Sequence, residues 1–183
     1  MTWEQAISDF QNYLKLERSM SLNTIDAYKR DLFKFSSYLI QKEEIKDPLK
    51  VKPIDIQSFL GFITEADMSA RSQSRNLSSI KGFYKYLIID DYLSIDPSEL
   101  IHSPKVAKKL PEFLTKEEID QLIDAIDLST DQGHRNKAMI EMLYSCGLRV
   151  SELINLTFSN LFIKEGVIRV LGKGNKEREG CYL

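Results

Sequence analysis

The stretch YSCGLRVSEL, residues 144–153, predicts a tight turn between two helices. Apolar residues at helical spacing precede it. Gly147 stands where a helix usually ends, because glycine enters the left-handed cap conformation without steric cost. The next helix is expected to begin near Ser151, so Arg149 would lie at a helix start beside unpaired backbone N–H groups. That arrangement suits a phosphate. The alternative is an exposed arginine that merely follows a capping glycine.

The composition is that of a globular protein of one or two domains, with 183 residues, 43% hydrophobic and 28% charged. No apolar run reaches the roughly 18 residues of a membrane span, and no basic-then-apolar leader opens the chain. Cys146 and Cys181 form neither a disulfide framework nor a metal-ligand pattern, and there are only two histidines. We therefore expect a cytoplasmic protein without a structural zinc site.

Four helices are predicted in the first hundred residues, at about 2–18, 23–40, 53–63 and 72–89. Thr2 and Gln5 have the spacing of a capping box, Ser21 is a suitable N-cap, and Pro53 suits a first helical position. Each helix carries an apolar stripe, and nothing in this half alternates like a strand. The pattern indicates a mainly α protein that begins with a helical bundle.

The fourth predicted helix carries a polar face opposite its apolar stripe, formed by Arg71, Arg75, Ser78, Gly82 and Lys85. Basic and hydroxyl side chains of this kind can lie along a phosphate backbone, and the glycine would let that backbone approach closely. The alternative is a solvated helix face, which is what surface charge usually means. The net charge of −2 does not itself indicate nucleic acid, although residues 71–109 carry seven basic and four acidic residues.

The amino-acid composition changes after Asp96, which predicts a domain boundary. The proline- and lysine-rich stretch SPKVAKKLP, residues 103–111, is typical of an extended linker. We therefore divide the chain into residues 1–101, a linker at 102–112, and residues 113–183.

The second domain is predicted to combine helices with a small antiparallel β-meander, which makes it α+β. It should open with a capping box from Thr115 to Glu118, followed by a polar loop at 127–134 before the helix that reaches Gly147. Strands are expected at 161–163, at 167–171 and from Glu177 onward. The first helix should bury one stripe: Ile119, Leu122, Ile123 and Ile126.

Lys173 is the second candidate for chemistry, because it lies between Gly172 and Gly174 at a predicted hairpin tip. An arginine that binds the non-bridging oxygens of a phosphate, with a lysine that protonates a leaving hydroxyl, suits phosphoryl transfer. The alternative for Lys173 is a solvated hairpin lysine. A nucleotide-binding loop is excluded, since the G-x-x-x-x-G-K-[ST] pattern is absent.

Several ordered segments together resemble the tyrosine site-specific recombinases, in particular those of the Xer type. In the second domain these are YSCGLRVSEL at 144–153, LGKGNKER at 171–178 and LTKEEI at 114–119. In the first they are SLNTIDAYKRDL at 21–32 and RNLSSIKGFYKYL at 75–87. The resemblance covers nearly the whole chain, to about Arg178. It implies a SAM-like core-binding domain followed by the start of a catalytic domain, which together clamp duplex DNA.

By this resemblance the family cuts one DNA strand with a tyrosine, forms a 3′-phosphotyrosyl link and reseals without ATP or metal. The resemblance therefore implies no metal and no cofactor. Arg149 would be the first catalytic arginine, Glu152 a supporting residue and Lys173 the general acid. The intact family acts as a tetramer on DNA, so further recombinase subunits are expected partners. The residues expected to contact DNA are Thr24, Arg30, Lys34, Arg71, Arg75, Ser78 and Lys85.

The family pattern also requires a His-x-x-Arg motif, a further His or Trp and the nucleophilic tyrosine, all downstream of the lysine hairpin. His102 and His134 both precede Arg149, and Tyr182 is in the wrong place for the nucleophile. We therefore predict that these 183 residues bind DNA but do not cleave or join it alone. Such a chain would be a fragment or the product of a truncated or frameshifted gene.

Two other functions stay open at this point. One is a non-enzymatic module that occupies recombination sites or associates with an intact recombinase. The other is a helical protein-interaction domain without a DNA role. The sequence gives neither the target site nor a choice between chromosome-dimer resolution, with its link to chromosome partition and cell division, and integration of a mobile element.

Overall fold

Local capping signals set the helices of the first half of the chain, as the computed structural model shows. The structure describes residues 1–104, 110–172 and 177–181, and it divides into two units, Met1–Lys109 and Leu110–Leu183. In the first unit, the predicted capping box between Thr2 and Gln5 is present, and Ser21 caps the second helix. The four helices are α1 (Trp3–Leu16), α2 (Leu22–Lys42), α3 (Pro53–Glu65) and α4 (Ala70–Ile89), with a 3-10 turn at Pro48–Lys50.

The core of the first unit is aromatic and lies between these helices. Trp3, Phe10, Phe35, Phe59 and Phe83 are all buried and contact one another through their ring edges and faces. The predicted stripes form the core, which confirms the helical bundle. Residues of those stripes that are buried include Ile7, Leu14, Ile25, Leu32, Leu39, Ile56, Ile63, Leu77, Ile80, Tyr84 and Leu87.

The second unit contains three helices and one small sheet within its described residues. The helices are α5 (Lys116–Asp124), α6 (Asp131–Ser145) and α7 (Val150–Ile154), and a 3-10 turn at Phe158–Asn160 leads into the sheet. The strands are β1 (Leu161–Phe162), β2 (Val167–Leu171) and β3 (Glu177–Cys181), in the order β1-β2-β3 with antiparallel pairing. The predicted meander and the mainly α fold class are therefore confirmed.

Two predictions for the second unit were wrong. The stripe Ile119, Leu122, Ile123 and Ile126 is not buried; Leu122 is 44% exposed and no residue of α5 is buried. The reason is that the buried cluster of this unit forms elsewhere, around Ile168. The predicted polar loop also ends early, because the Thr130 hydroxyl accepts the Gly133 N–H and starts α6 at Asp131. Within the described residues, no helix is long and apolar enough to cross a membrane.

Candidate active site and nucleic-acid interface

The turn between α6 and α7 has the predicted conformation. Helix α6 ends at Ser145 with Cys146 as its C-cap, and Gly147 follows with φ of 57°. A Cβ at Gly147 would meet no atom within 4 Å, so the glycine is required by its backbone angle and not by lack of space. Leu148 is buried and anchors the turn, and Arg149 is the N-cap residue of α7. The turn therefore presents the Arg149 side chain at a fixed position on the second unit.

Glu152 holds Arg149 from within the same turn. Its Oε2 accepts the backbone N–H of Arg149 at 2.8 Å, and its Oε1 accepts the guanidinium Nη1 at 2.7 Å. The Glu152 side chain is only 3% exposed, whereas that of Arg149 is 62% exposed. The buried carboxylate thus fixes one edge of a guanidinium whose remaining donors face solvent.

Arg178 on β3 completes this cluster, although no sequence pattern predicted a role for it. Its Nη2 donates to Glu152 Oε2 at 2.6 Å and to the carbonyl oxygen of Gly147 at 2.9 Å. The pairing of Arg178 with Val170 on β2 sets its position along the sheet. Because the contact joins residues 26 apart, helical or strand periodicity could not reveal it. Its only sequence signal was its place within the segment at 171–178.

The electrostatics of the cluster follow from two arginines that share one carboxylate. Hydrogen bonds from the Arg178 guanidinium first, and from the Arg149 backbone N–H next, lower the pKa of Glu152 to about 2. Glu152 is therefore ionised at neutral pH. One negative and two positive groups leave the cluster with a surplus positive charge beside an exposed guanidinium, which suits an anion.

Lys173 lies outside the described residues, which break off after Gly172 and resume at Glu177. The strands on either side pair with each other, Leu171 opposite Glu177. The structure therefore places Arg149 and Glu152 together and leaves the position of Lys173 untested.

A groove of about 460 Å³ lies between α2 and α4 on the first unit. Four of the seven residues expected to contact DNA line it: Thr24, Arg71, Arg75 and Ser78. The other three, Arg30, Lys34 and Lys85, are exposed on the same two helices but do not line the groove. The fold thus gathers part of the predicted set into one concave surface and leaves the rest around it.

Arg75 is held inside this groove by the carboxylate of Asp31, which was not among the predicted site residues. Its Nη2 lies 3.0 Å from Asp31 Oδ1, and the Ser79 hydroxyl donates to Asp31 Oδ2 at 2.8 Å. Asp31 is 3% exposed, although it stands among charged residues of α2 that lie on the surface. The available sequence signal was spacing, because Asp31 lies three residues after Tyr28 and four before Phe35 of the apolar stripe, where a charged group needs a partner.

Gly82 does not serve the purpose that the sequence suggested. A Cβ at this position would come within 3.0 Å of Tyr28 Cε1 and within 3.7 Å of Phe10 Cζ. The glycine therefore makes room for α1 and α2 against α4, and it is not among the residues that line the groove. The expected close approach of a DNA backbone at Gly82 is replaced by close packing between helices of the bundle.

Family profiles match both units. The N-terminal SAM-like domain of phage integrases matches residues 7–90, and the phage integrase family matches residues 112–180. The first match contains the α2–α4 groove, and the second contains Arg149, Glu152 and Arg178. This chain belongs to the phage integrase family of tyrosine recombinases.

Individual relatives agree with that family. The tyrosine recombinase XerD of Oceanobacillus iheyensis is 42% identical over 175 residues, which are 96% of this chain and 59% of the relative. A λ integrase tetramer bound to a Holliday junction is 17% identical with a TM-score of 0.73, over 99% of this chain and 51% of that one. XerH recombinase bound to palindromic difH is 22% identical with a TM-score of 0.65, over 95% and 52%. At these sequence identities, the two solved structures support the fold alone. This chain spans less than two thirds of the length of each of these relatives.

Proposed function

We propose that this chain contributes to site-specific DNA recombination as the DNA-binding domain and the first part of the catalytic domain of a Xer-like recombinase. The observation that supports this most directly is the cluster of Arg149, Glu152 and Arg178, which combines a surplus positive charge with an exposed guanidinium in the segment that matches the phage integrase family. The domain limits we propose are 1–101 and 113–183, joined by a linker at 102–112.

In the proposed reaction, a tyrosine hydroxyl attacks the scissile phosphorus and the bond to the 5′ oxygen of the next nucleotide breaks. The 3′ end is then joined to the enzyme, and the 5′ oxygen takes up a proton. Arg149 would bind the non-bridging oxygens, whose negative charge grows in the transition state. Glu152 acts through Arg149 as a positioning residue, and Lys173 would supply the proton to the leaving oxygen.

The tyrosine and the His-x-x-Arg motif of the family would have to come from outside these 183 residues. We therefore expect this chain alone to bind DNA without forming a covalent link. Incubation with a nicked suicide duplex, followed by denaturing electrophoresis, tests this expectation. A covalent protein–DNA adduct that disappears in Tyr182→Phe would contradict it. Reading the gene downstream of the Leu183 codon would show whether the missing motifs follow in frame.

For DNA binding, we propose that the first unit contacts the duplex through the α2–α4 groove. Both helices begin at this groove, and neither has an acidic residue in its first turn. The positive ends of the two helices and the Arg71 side chain would then favour phosphates. The XerH structure contains a bound palindromic difH substrate, and the λ integrase tetramer is bound to a Holliday junction.

Further recombinase subunits are the second class of partner that we propose, since the λ integrase neighbour is a tetramer. The site of action would be the cytoplasm. We keep two roles for the proposed recombination: chromosome-dimer resolution, with its link to chromosome partition and cell division, and integration of a mobile element. A non-enzymatic module that occupies recombination sites is the second function that we keep, because the groove lies wholly within the first unit.

Fluorescence anisotropy with labelled duplex DNA tests the binding function. The dissociation constant should rise with salt, and the slope should become shallower by about one phosphate contact in Arg71→Ala. Lys15→Ala is the control, because Lys15 is an exposed lysine of α1 that does not line the groove. Affinity that does not depend on salt would leave the helical protein-interaction domain as the better proposal.

A further inference from the structure

Arg75 and Arg71 line the same groove but are held differently. Arg71 is exposed, and within the described residues it forms no ion pair. Arg75 is 50% exposed, and its Nη2 contacts a carboxylate that is itself 3% exposed. That carboxylate is fixed in turn by the Ser79 hydroxyl, one helical turn further along α4. One arginine is therefore a free cation, and the other is one half of a fixed ion pair.

The charge of Arg75 is largely cancelled by Asp31. Affinity for the DNA backbone comes from cations that neutralise phosphates and release their counterions. An arginine that already has a carboxylate partner at 3.0 Å adds little to that effect. As a phosphate contact, Arg75 is therefore less suitable than Arg71.

The same ion pair makes Arg75 well suited to read a base. A guanidinium presents five N–H donors in a planar fork, and Asp31 occupies part of one edge. The remaining donors belong to a side chain that lines an open groove, and its Nη2 lies 3.0 Å from a buried carboxylate. In the major groove, guanine offers two adjacent acceptors, N7 and O6, and a bidentate arginine is the commonest specific contact to them.

We propose that Arg75 reads a guanine in the major groove, and that Asp31 and Ser79 are positioning residues that hold its guanidinium for that contact. This inference rests on the proposed DNA-binding function of the first unit and deepens it. Arg71 and the exposed cations around the groove then supply affinity for the backbone, whereas Arg75 supplies sequence preference with almost no net charge. Specificity and affinity are thus assigned to different arginines on one helix.

The test uses the full chain and two duplexes of about two helical turns that differ only in one atom of each guanine. One contains guanine, and the other contains 7-deazaguanine, in which N7 is replaced by a carbon while base pairing and backbone charge are unchanged. The wild-type chain should bind the guanine duplex about tenfold more tightly. Arg75→Lys keeps the ion pair with Asp31 but lacks the fork, so its preference should fall below about twofold.

Asp31→Asn distinguishes recognition of guanine by Arg75 from general electrostatic attraction to DNA. It frees Arg75 and adds one positive charge, so general electrostatics alone would strengthen binding to both duplexes. We expect affinity for the 7-deazaguanine duplex to hold or rise while the preference for guanine is lost. Thermal unfolding by circular dichroism checks that each variant is folded.

Two results would overturn the inference while leaving the proposed function in place. One is a loss of affinity in Arg75→Lys that is equal for both duplexes, which would make Arg75 a phosphate contact. The other is an Asp31→Asn chain that keeps its full preference for guanine. Absence of salt-dependent binding to either duplex by the wild-type chain would instead overturn the proposed function itself, and the inference with it.

Discussion

Arg75 in the first unit and Arg149 in the second are both held by a carboxylate that is 3% exposed. The two carboxylates differ in what else they hold. Asp31 has one arginine and one serine hydroxyl, so the charges cancel. Glu152 has two arginines, Arg149 and Arg178, and a positive charge remains. A carboxylate can therefore anchor an arginine with or without cancelling its attraction for an anion, and the number of cations that share the carboxylate decides which.

We expect the greatest loss of stability at Asp31, the carboxylate that has one arginine partner rather than two. Arg75→Ala would leave Asp31 buried with only the Ser79 hydroxyl, which should cost the first unit about 1–3 kcal/mol of unfolding free energy. Urea denaturation followed by tryptophan fluorescence measures this unit alone, because the single tryptophan, Trp3, is 4% exposed in its core. Arg30→Ala is the matched control, since Arg30 is exposed and has no ion pair within the described residues. Equal stability of the two variants would show that Asp31 does not depend on Arg75.

Loss of one arginine should disturb the structure around Glu152 less, because Glu152 is paired with two arginines. In Arg149→Ala, Glu152 would still accept from Arg178 at 2.6 Å and would not be left unpaired. Amide hydrogen exchange in β2 and β3 should therefore rise less than about threefold. Arg178→Ala should raise it more, because it also removes the contact to the Gly147 carbonyl that ties β3 to the turn. Larger exposure of β3 in Arg149→Ala would contradict the comparison.

The second unit should also lose stability in acid over a defined range. Hydrogen bonds from Arg178 and Arg149 lower the pKa of Glu152 from its ordinary value of 4.5 to about 2. A lowered pKa stabilises the folded state above the unfolded value, and the effect disappears as the pH falls through the folded value. Protection of β3 amides against hydrogen exchange should therefore decrease between about pH 4.5 and pH 2.

Glu152→Gln should lack this acid-dependent step, since the amide does not titrate in the range. Glu165→Gln is the control, because Glu165 is exposed in the turn between β1 and β2 and should leave the step unchanged. An unaltered step in Glu152→Gln would assign it to another carboxyl group.

The smallest change in stability is expected from two glycine substitutions, one of which probes the spacing of α2 and α4, on which the Asp31–Arg75 pair depends. Gly61→Ala should stabilise the first unit by about 0.5–1 kcal/mol, because a Cβ there meets no atom within 4 Å and alanine favours a helix. Gly82→Ala should gain less or lose stability, since its Cβ would lie 3.0 Å from Tyr28. The same urea titration compares the two. Equal stabilisation by both would show that Tyr28 can move aside without cost.

Much of the fold was accessible from local sequence signals. The caps at Thr2, Ser21 and Thr115 and the left-handed Gly147 each depend on a few adjacent residues, and the structure has all of them. The apolar stripes of α1 to α4 follow from helical periodicity in the same way. The prediction that the α5 stripe is buried was wrong, because periodicity predicts which side of a helix is apolar, whereas burial depends on what covers that side.

The helical bundle, the meander, the position of Arg149 at a helix start and the resemblance to the recombinases could all be predicted from residue order alone. These features depend on short-range geometry or on the order of motifs along the chain. Three contacts became visible only in the folded chain: Arg178 joins Glu152, Asp31 holds Arg75 and Gly82 packs against Tyr28. Each of those contacts joins residues far apart in the chain. The pairing of strands and the crossing of helices bring such residues together, and no local pattern encodes which charged groups will then meet.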